Sequence, residues 1–323
     1  LAAGFAAGVL PGKLGMKATV AILTTGYALG YLMMGLSGLS IVLMLGFFLV
    51  GIDKGATLNT CTILVGDNSP DRAKGMNLMH SCYALGALLC PFLIAFAARF
   101  SALLPLFLLA VLGVCQWCVF AATPMARKNA GKAVAIDWSF LKSPRFWLLT
   151  GLLFCQNAAE TGVTGWMVTY FKGSGIIAGA LSAYTVTIMW GATLVARLLI
   201  AFVFPFKNAH TAMIKMSAAC IVFYFGLMMA HSQLAAVLLL FAFAFAMAGM
   251  NPTAVACAGH MTSVTSMGVM LPVASSGAIL MPWIIGLVAE DAGLSFGMAT
   301  NIVPCVGLLI FAIAVHRLAK TEK

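Results

Sequence analysis

Apolar runs long enough to cross a bilayer recur along this chain, at 18–36, 40–66, 76–98, 103–123, 146–172, 178–204, 211–231, 234–261, 266–289 and 294–316. A transmembrane helix needs about 20 mostly apolar residues, so each run predicts one spanning helix. An apolar piece at 1–10 precedes them and is too short to span. It lacks the basic start of a signal peptide. It reads as the tail of a helix that begins upstream, which makes the chain part of a longer one.

The longest polar stretch, 124–145, separates the short piece and four runs from six further runs. If the two groups are repeats, the first lacks one helix and part of another. The simplest completion has twelve helices, with helix 1 and the start of helix 2 missing. On that plan 40–66 is helix 4, 76–98 helix 5, 146–172 helix 7, 178–204 helix 8, 234–261 helix 10 and 266–289 helix 11. The expected division is 1–123 as an N-terminal half, 124–145 as a linker, and 146–323 as a C-terminal half with its tail.

Basic side chains sort to one side of this pattern. One set of loops carries Lys13, Lys17, Arg72, Lys74, Arg127, Lys128, Lys132, Lys142, Arg145, Lys207, Lys215, Arg317, Lys320 and Lys323. The other carries Arg99 and Lys172. Basic loops face the cytoplasm, so the linker is expected there. The net charge of +10 is then a matter of topology, and no nucleic-acid partner is implied.

Composition agrees with a membrane chain. Hydrophobic residues make up 63% and charged residues 8%, against about 25% charged in soluble domains. The 9 cysteines fall in apolar segments without metal-ligand spacing and read as free structural thiols. No phosphate loop, nucleotide fold or hydrolytic triad is present, so neither an enzyme, a bound cofactor nor ATP-driven transport is expected.

Against this apolar background a few polar residues stand out. Glu160 is the sole charge between Arg145 and Lys172, near the middle of helix 7. A carboxylate at membrane depth costs about 2.5–3.5 kcal/mol even on mild scales, and such residues mark solute or ion pathways. Asp53 and Lys54 lie within helix 4 and Arg197 within helix 8. Asp53, Thr57 and Thr60 share one helical face, as do Asn157, Glu160, Thr161 and Thr164. Such stripes suit a hydrated cavity wall, while acids paired with Lys54 or Arg197 to lock helices are the alternative. Arg197 suits either a substrate anchor or a tie between helices. Asn77 and His80 share a face near the start of helix 5. Gly249-Met250-Asn251-Pro252 should interrupt helix 10, because Pro252 has no amide hydrogen to donate. Pro272, Ser275-Ser276-Gly277 and Pro282-Trp283 make helix 11 deformable. Trp166, Tyr170, Trp190 and Trp283 are candidates for stacking on a sugar ring, with packing or interface anchoring as the alternative. Gly4 with Gly8, and Gly26 with Gly30, are close-packing signals.

The run Gly8-Val9-Leu10-Pro11-Gly12-Lys13-Leu14-Gly15-Met16-Lys17 resembles the loop between helices 2 and 3 of the major facilitator superfamily. Two glycines, the leucine and two basic positions match. Gly12 stands where that loop usually has Asp, and Met16 where it has Arg. A degenerate echo occurs over 201–207. Further matches resemble the fucose:proton symporter branch and its sugar-porter relatives. They are 51–59 and 70–91 with Asn77-Leu78-Met79-His80 and Ala84-Leu85-Gly86-Ala87, then Glu160 with Trp166 and Tyr170, and Trp190-Gly191 through Arg197-Leu198.

The resemblance implies an all-α integral membrane fold of two pseudo-symmetric six-helix halves, with helices 1, 4, 7 and 10 lining a central cavity. It implies a secondary transporter of a small polar solute, a sugar above all, working by alternating access with proton coupling. Asn77, His80, Asn157, Glu160, Trp166 and Asn251 are the expected substrate-binding residues. Asp53, Glu160 and Arg197 are the expected proton-coupling residues. Gly8, Lys13, Gly15 and Lys17 form the expected conformational loop. The expected partners are the solute, protons and membrane lipid. The chain is expected to be monomeric, in a bacterial cytoplasmic membrane. A drug or metabolite exporter of the same superfamily, or a non-transporting receptor or scaffold, are the rival readings.

Overall fold

A computed structural model describes residues 2–125, 138–177, 179–258 and 263–321. Of the linker's basic residues, Arg127, Lys128 and Lys132 lie outside the described residues, as does Lys323. Regular structure among the described residues is helical. In order it comprises α1 (Ala2–Leu14), α2 (Met16–Leu23), α3 (Gly26–Leu36), α4 (Ser40–Asn68), α5 (Arg72–Ala97), α6 (Leu104–Ala122), α7 (Pro144–Ser174), α8 (Thr185–Phe202), α9 (Ala209–Met228), α10 (Gln233–Met247), α11 (Met250–Ala258), α12 (Val264–Ala292), α13 (Leu294–Ala299) and α14 (Ile302–Thr321).

Nine stretches among the described residues are long and apolar enough to cross a membrane. They correspond to the expected runs except 146–172. That run is the 31-residue α7. It has the length to span, but Gln156, Asn157 and Glu160 lower its hydropathy. The most polar spanning helix is therefore the one carrying the central acid.

Three of the apolar runs are broken, 294–316 among them between α13 and α14. Within 18–36, Thr24 and Thr25 turn their hydroxyls back to Val20 and Ile22 carbonyls at 2.8 and 2.9 Å. That side-chain competition loosens a helix, and a new helix, α3, starts at Gly26. Within 234–261, the expected interruption falls at Ala248 and Gly249, between α10 and α11. The expected deformability of 266–289 has a milder form, since α12 runs unbroken through Pro272 and Pro282.

The chain forms two compact units. One comprises Leu1–Leu64, Leu89–Phe140 and His260–Pro272, and the other Val65–Leu88, Leu141–Gly259 and Val273–Lys323. The segments 65–88 and 263–272 thus each group with residues from the other side of 124–145.

In the first unit α3 packs along α6, and α2 lies on both α1 and α6. Glycines set its tightest approaches. A β-carbon at Gly30 would lie 2.6 Å from the Gly46 carbonyl oxygen of α4. A β-carbon at Gly8 would lie 2.6 Å from Gly268 Cα of α12. Backbone meets backbone there, so nothing flexible is free to move aside. We expect Gly8→Val to destabilise the protein by about 1–3 kcal/mol through overpacking. Gly12→Ala, on the same helix with open space around it, should leave stability nearly unchanged. Melting of the detergent-solubilised variants checks this; equal melting temperatures for the two would contradict it.

In the second unit α7 is the central helix, packed against α8, α11, α13 and α14. Leu149, Leu152, Leu153, Ala159, Val163 and Phe171 are fully buried in that packing. The helix has one continuous accessible stripe, running through Asn157, Glu160, Thr161 and Thr164. Exposed stripes elsewhere carry residues such as Met44, Phe47 and Phe48 on α4. The middle of the accessible face of α7 is instead polar.

Candidate solute site

The second unit holds all the expected substrate-binding residues, and α7 supplies the centre. Thr161 and Thr164 return their hydroxyls to the Asn157 and Glu160 backbone carbonyls, at 2.6 and 3.1 Å. The Asn157 amide and Glu160 carboxylate are then the functional groups this stripe presents. Glu160 is half-buried and accepts a short hydrogen bond from Gln156 Nε2, one turn earlier on α7. Gln156 is itself buried, and its carbonyl accepts from Asn251 Nδ2 of α11 at 3.0 Å. Glu160, Gln156 and Asn251 therefore form one hydrogen-bonded chain between two helices.

Arg197 of α8 lies beside this chain and is 3% exposed. Its Nε donates to the Ala248 carbonyl at 2.9 Å and its Nη1 to the His80 carbonyl at 2.7 Å. The first contact follows from the sequence. In a regular helix the Ala248 carbonyl would accept from the amide of residue 252, but Pro252 has none. The freed carbonyl is paid for by a buried cation. Arg197 thus joins α8 to the break before α11 and to the first half of α5. It also interacts electrostatically with Glu160, and Glu160 with the Tyr83 hydroxyl of α5. An anion and a cation thus interact within this unit.

His80 and Asn77 are both buried on α5. Among the described residues, His80 Nε2 and Asn77 Oδ1 have no hydrogen-bond partner. Buried polar atoms in that state are uncommon and ask for a ligand or a rearrangement to satisfy them. The aromatic candidates divide. Trp190 meets Tyr83 edge to face at 5.4 Å. Trp166 commits its indole N–H to the Pro282 carbonyl at 2.8 Å, which ties α7 to α12. Tyr170 is buried beside Phe171, and Trp283 is 61% exposed, as suits an interface anchor.

The remaining expected residues lie in the first unit. Asp53 of α4 is fully buried. One carboxylate oxygen accepts from Tyr27 N–H at 2.8 Å, in the first turn of α3. The other accepts from Thr57 Oγ1 and Gln116 Nε2, each at 2.8 Å. The carboxylate therefore sits at the start of a broken helix, where amide hydrogens and the helix dipole favour an anion. Its expected same-face neighbour Thr57 is in contact, whereas Lys54 points outward and is exposed. This geometry gives Asp53 a role in holding α3, α4 and α6 together.

The expected conformational loop is mostly helical. Gly8 and Lys13 lie in α1, Lys17 lies in α2, and Gly15 alone links them with φ 80°. Only glycine adopts that backbone freely. Lys17 reaches the end of α6, donating to the Phe120, Ala121 and Thr123 carbonyls at 3.2, 2.5 and 2.7 Å. A cation there satisfies the last carbonyls of the helix and its negative dipole end.

Gln156, Gln116 and Tyr83 were missed by the sequence reading. Gln156 is four residues from Glu160, which places both on one face. Gln116 is an amide inside the apolar run 103–123. Both signals were available, but an uncharged amide stands out less than a carboxylate.

A family model described as Major Facilitator Superfamily matches residues 1–282. The chain belongs to this superfamily, and is an integral, multi-pass membrane protein of the transporter class. Among solved structures it is similar to a Major Facilitator Superfamily transporter, FucP, in the outward conformation. The identity is 15% and the TM-score 0.80, over 98% of this chain and 86% of that one. It is similar to a point variant of the E. coli fucose:proton symporter, FucP, at 15% identity and TM-score 0.78. That match covers 97% of this chain and 87% of the other. The human organic anion transporter MFSD10 (TETRAN) matches at 15% identity and TM-score 0.78, over 96% and 80% of the two chains. No curated protein matches the chain. The resemblance drawn from the Gly8–Lys17 motif and the branch stretches holds at the level of family and fold.

Proposed function

We propose that this protein is a proton-coupled secondary transporter of a small, neutral, polar solute, with monosaccharides as the substrate class. Two halves, 1–123 and 146–323, would alternate access to the solute about the 124–145 linker. The observation that carries this reading is the polar middle of the accessible stripe of α7, where Glu160 interacts electrostatically with the buried Arg197. Opposite charges leave the site near neutral, which suits hydroxyl groups that both donate and accept. Asn157, Glu160, Asn77, His80 and Asn251 would bind those hydroxyls, and the Trp190–Tyr83 pair would offer an aromatic wall. Glu160 would take up and release the coupling proton. Asp53 would be a second titrating acid, acting through the packing of α3 on α4. The similarity in fold to the fucose:proton symporter supports the substrate class.

A second reading is transport of an organic anion. When Glu160 is neutralised, the site carries the charge of Arg197 alone and would favour an anionic solute. The fold of the human organic anion transporter is also similar. A competition panel separates the two in proteoliposomes carrying the full-length protein. Neutral monosaccharides should inhibit uptake of a labelled monosaccharide, while small carboxylates at equal concentration should not. Inhibition by carboxylates alone would replace the first reading with the second.

A further inference from the structure

We propose that Gln156 is a positioning residue that passes the charge state of Glu160 to Asn251, and so to the start of α11. The inference rests on the transport reading for its purpose, but its geometry stands without a solute. An amide has one donating end and one accepting end. In the structure Gln156 uses the donating end on Glu160 and the accepting end on Asn251. The ionised carboxylate can only accept, so it fixes which way the amide faces. That in turn obliges Asn251 to donate.

Protonation reverses the demand. A neutral carboxyl can donate its O–H to the Gln156 carbonyl once that amide turns over, which takes the oxygen away from Asn251 and presents it with an N–H instead. The link to α11 is then broken or must be remade with the Asn251 amide turned. Gln156 is 1% exposed, so water does not readily replace a lost partner. Asn251 lies in the first turn of α11, just past the break where Arg197 holds the Ala248 carbonyl. A change at Asn251 therefore acts where α10 and α11 are already free to reorient.

The groups acting on Glu160 include Arg197 from α8 and the Tyr83 hydroxyl from α5, and Arg197 also acts on His80. Of the helices packed on α7, α11 also brings Cys257, and α14 brings Cys305. Their effects fall on Gln156 only through Glu160, because the amide itself does not titrate.

The test is a double-mutant cycle on melting temperature, using Gln156→Met and Asn251→Leu in the full-length protein. It is run in acidic and in alkaline buffer, with Glu160 native and with Glu160→Gln. With Glu160 native, the two substitutions should be coupled in alkaline buffer by roughly a degree or more. In acidic buffer their effects should add. In the Glu160→Gln background the coupling should not depend on pH. If Gln156→Met gives no folded protein, Gln156→Asn, which shortens the reach by one carbon, takes its place in the same cycle. Additivity at both pH values, or equal coupling at both with Glu160 native, would overturn the proposal. The cycle needs no solute, so a pH-dependent coupling in a protein that fails to transport would refute the transport reading and leave this link intact.

Discussion

Glu160→Gln should abolish accumulation driven by a pH gradient while leaving exchange of solute across the membrane. Glutamine keeps the size and a carbonyl acceptor for Gln156 Nε2, so the α7 packing and the bond along it survive. What it loses is the exchangeable proton. With one proton moved per solute, each pH unit drives about tenfold accumulation, since a factor of ten corresponds to 1.4 kcal/mol. In the variant the ratio should fall to unity, with counterflow of labelled against unlabelled solute retained. The variant also leaves Arg197 without the opposing charge of Glu160, so solute affinity should change as well. Accumulation equal to that of the native protein would remove Glu160 from the coupling mechanism. Loss of folded protein would instead assign it to an ion pair that holds the helices.

Arg197→Met should be the most destabilising single change in the second unit. It removes the donors to the Ala248 and His80 carbonyls together. It also removes the cation that acts on Glu160, and each hydrogen bond from a charged group contributes about 1.5–3 kcal/mol. Lysine should rescue poorly, because a flexible ammonium does not reproduce the fixed fork of a guanidinium. The origin of the Ala248 contact supplies a sharper test. Pro252→Ala restores an amide hydrogen that can bond the Ala248 carbonyl within the helix. Added to Arg197→Met, it should recover part of the melting temperature and none of the transport. A double variant no more stable than Arg197→Met would break the link drawn between the proline and the arginine.

The sequence showed which residues are expensive, and less about what they face. Glu160 and Arg197 were legible because a charge inside an apolar run has few reasons to be there. The break at Ala248–Gly249 was legible because Pro252 removes one specific hydrogen bond. The carbonyl it frees lies four residues earlier, so even the partner of Arg197 was within reach of counting. Asp53 was legible as a charge, and its contact with Thr57 as a helical spacing. Its enclosure by Tyr27 and Gln116 was not. A stripe fixes which residues share a face, while the element meeting that face comes from the packing of other helices. The break at Thr24 and Thr25 was hidden for a related reason, since threonine is tolerated in helices and the run 18–36 stays apolar through it. Trp166 shows the same limit. Its position one turn and a half beyond Glu160 was plain, but the Pro282 carbonyl that holds its indole lies on α12.

Coupling of a proton to a small polar solute through the α7 site is directly measurable. The direct measurement is uptake of a labelled monosaccharide into proteoliposomes containing the full-length protein, with an imposed pH gradient and then with a protonophore. Accumulation above equilibrium should follow the gradient, collapse with the protonophore, and be absent in Glu160→Gln. Uptake that stops at equilibrium whatever the gradient, in protein shown to be folded, would contradict it.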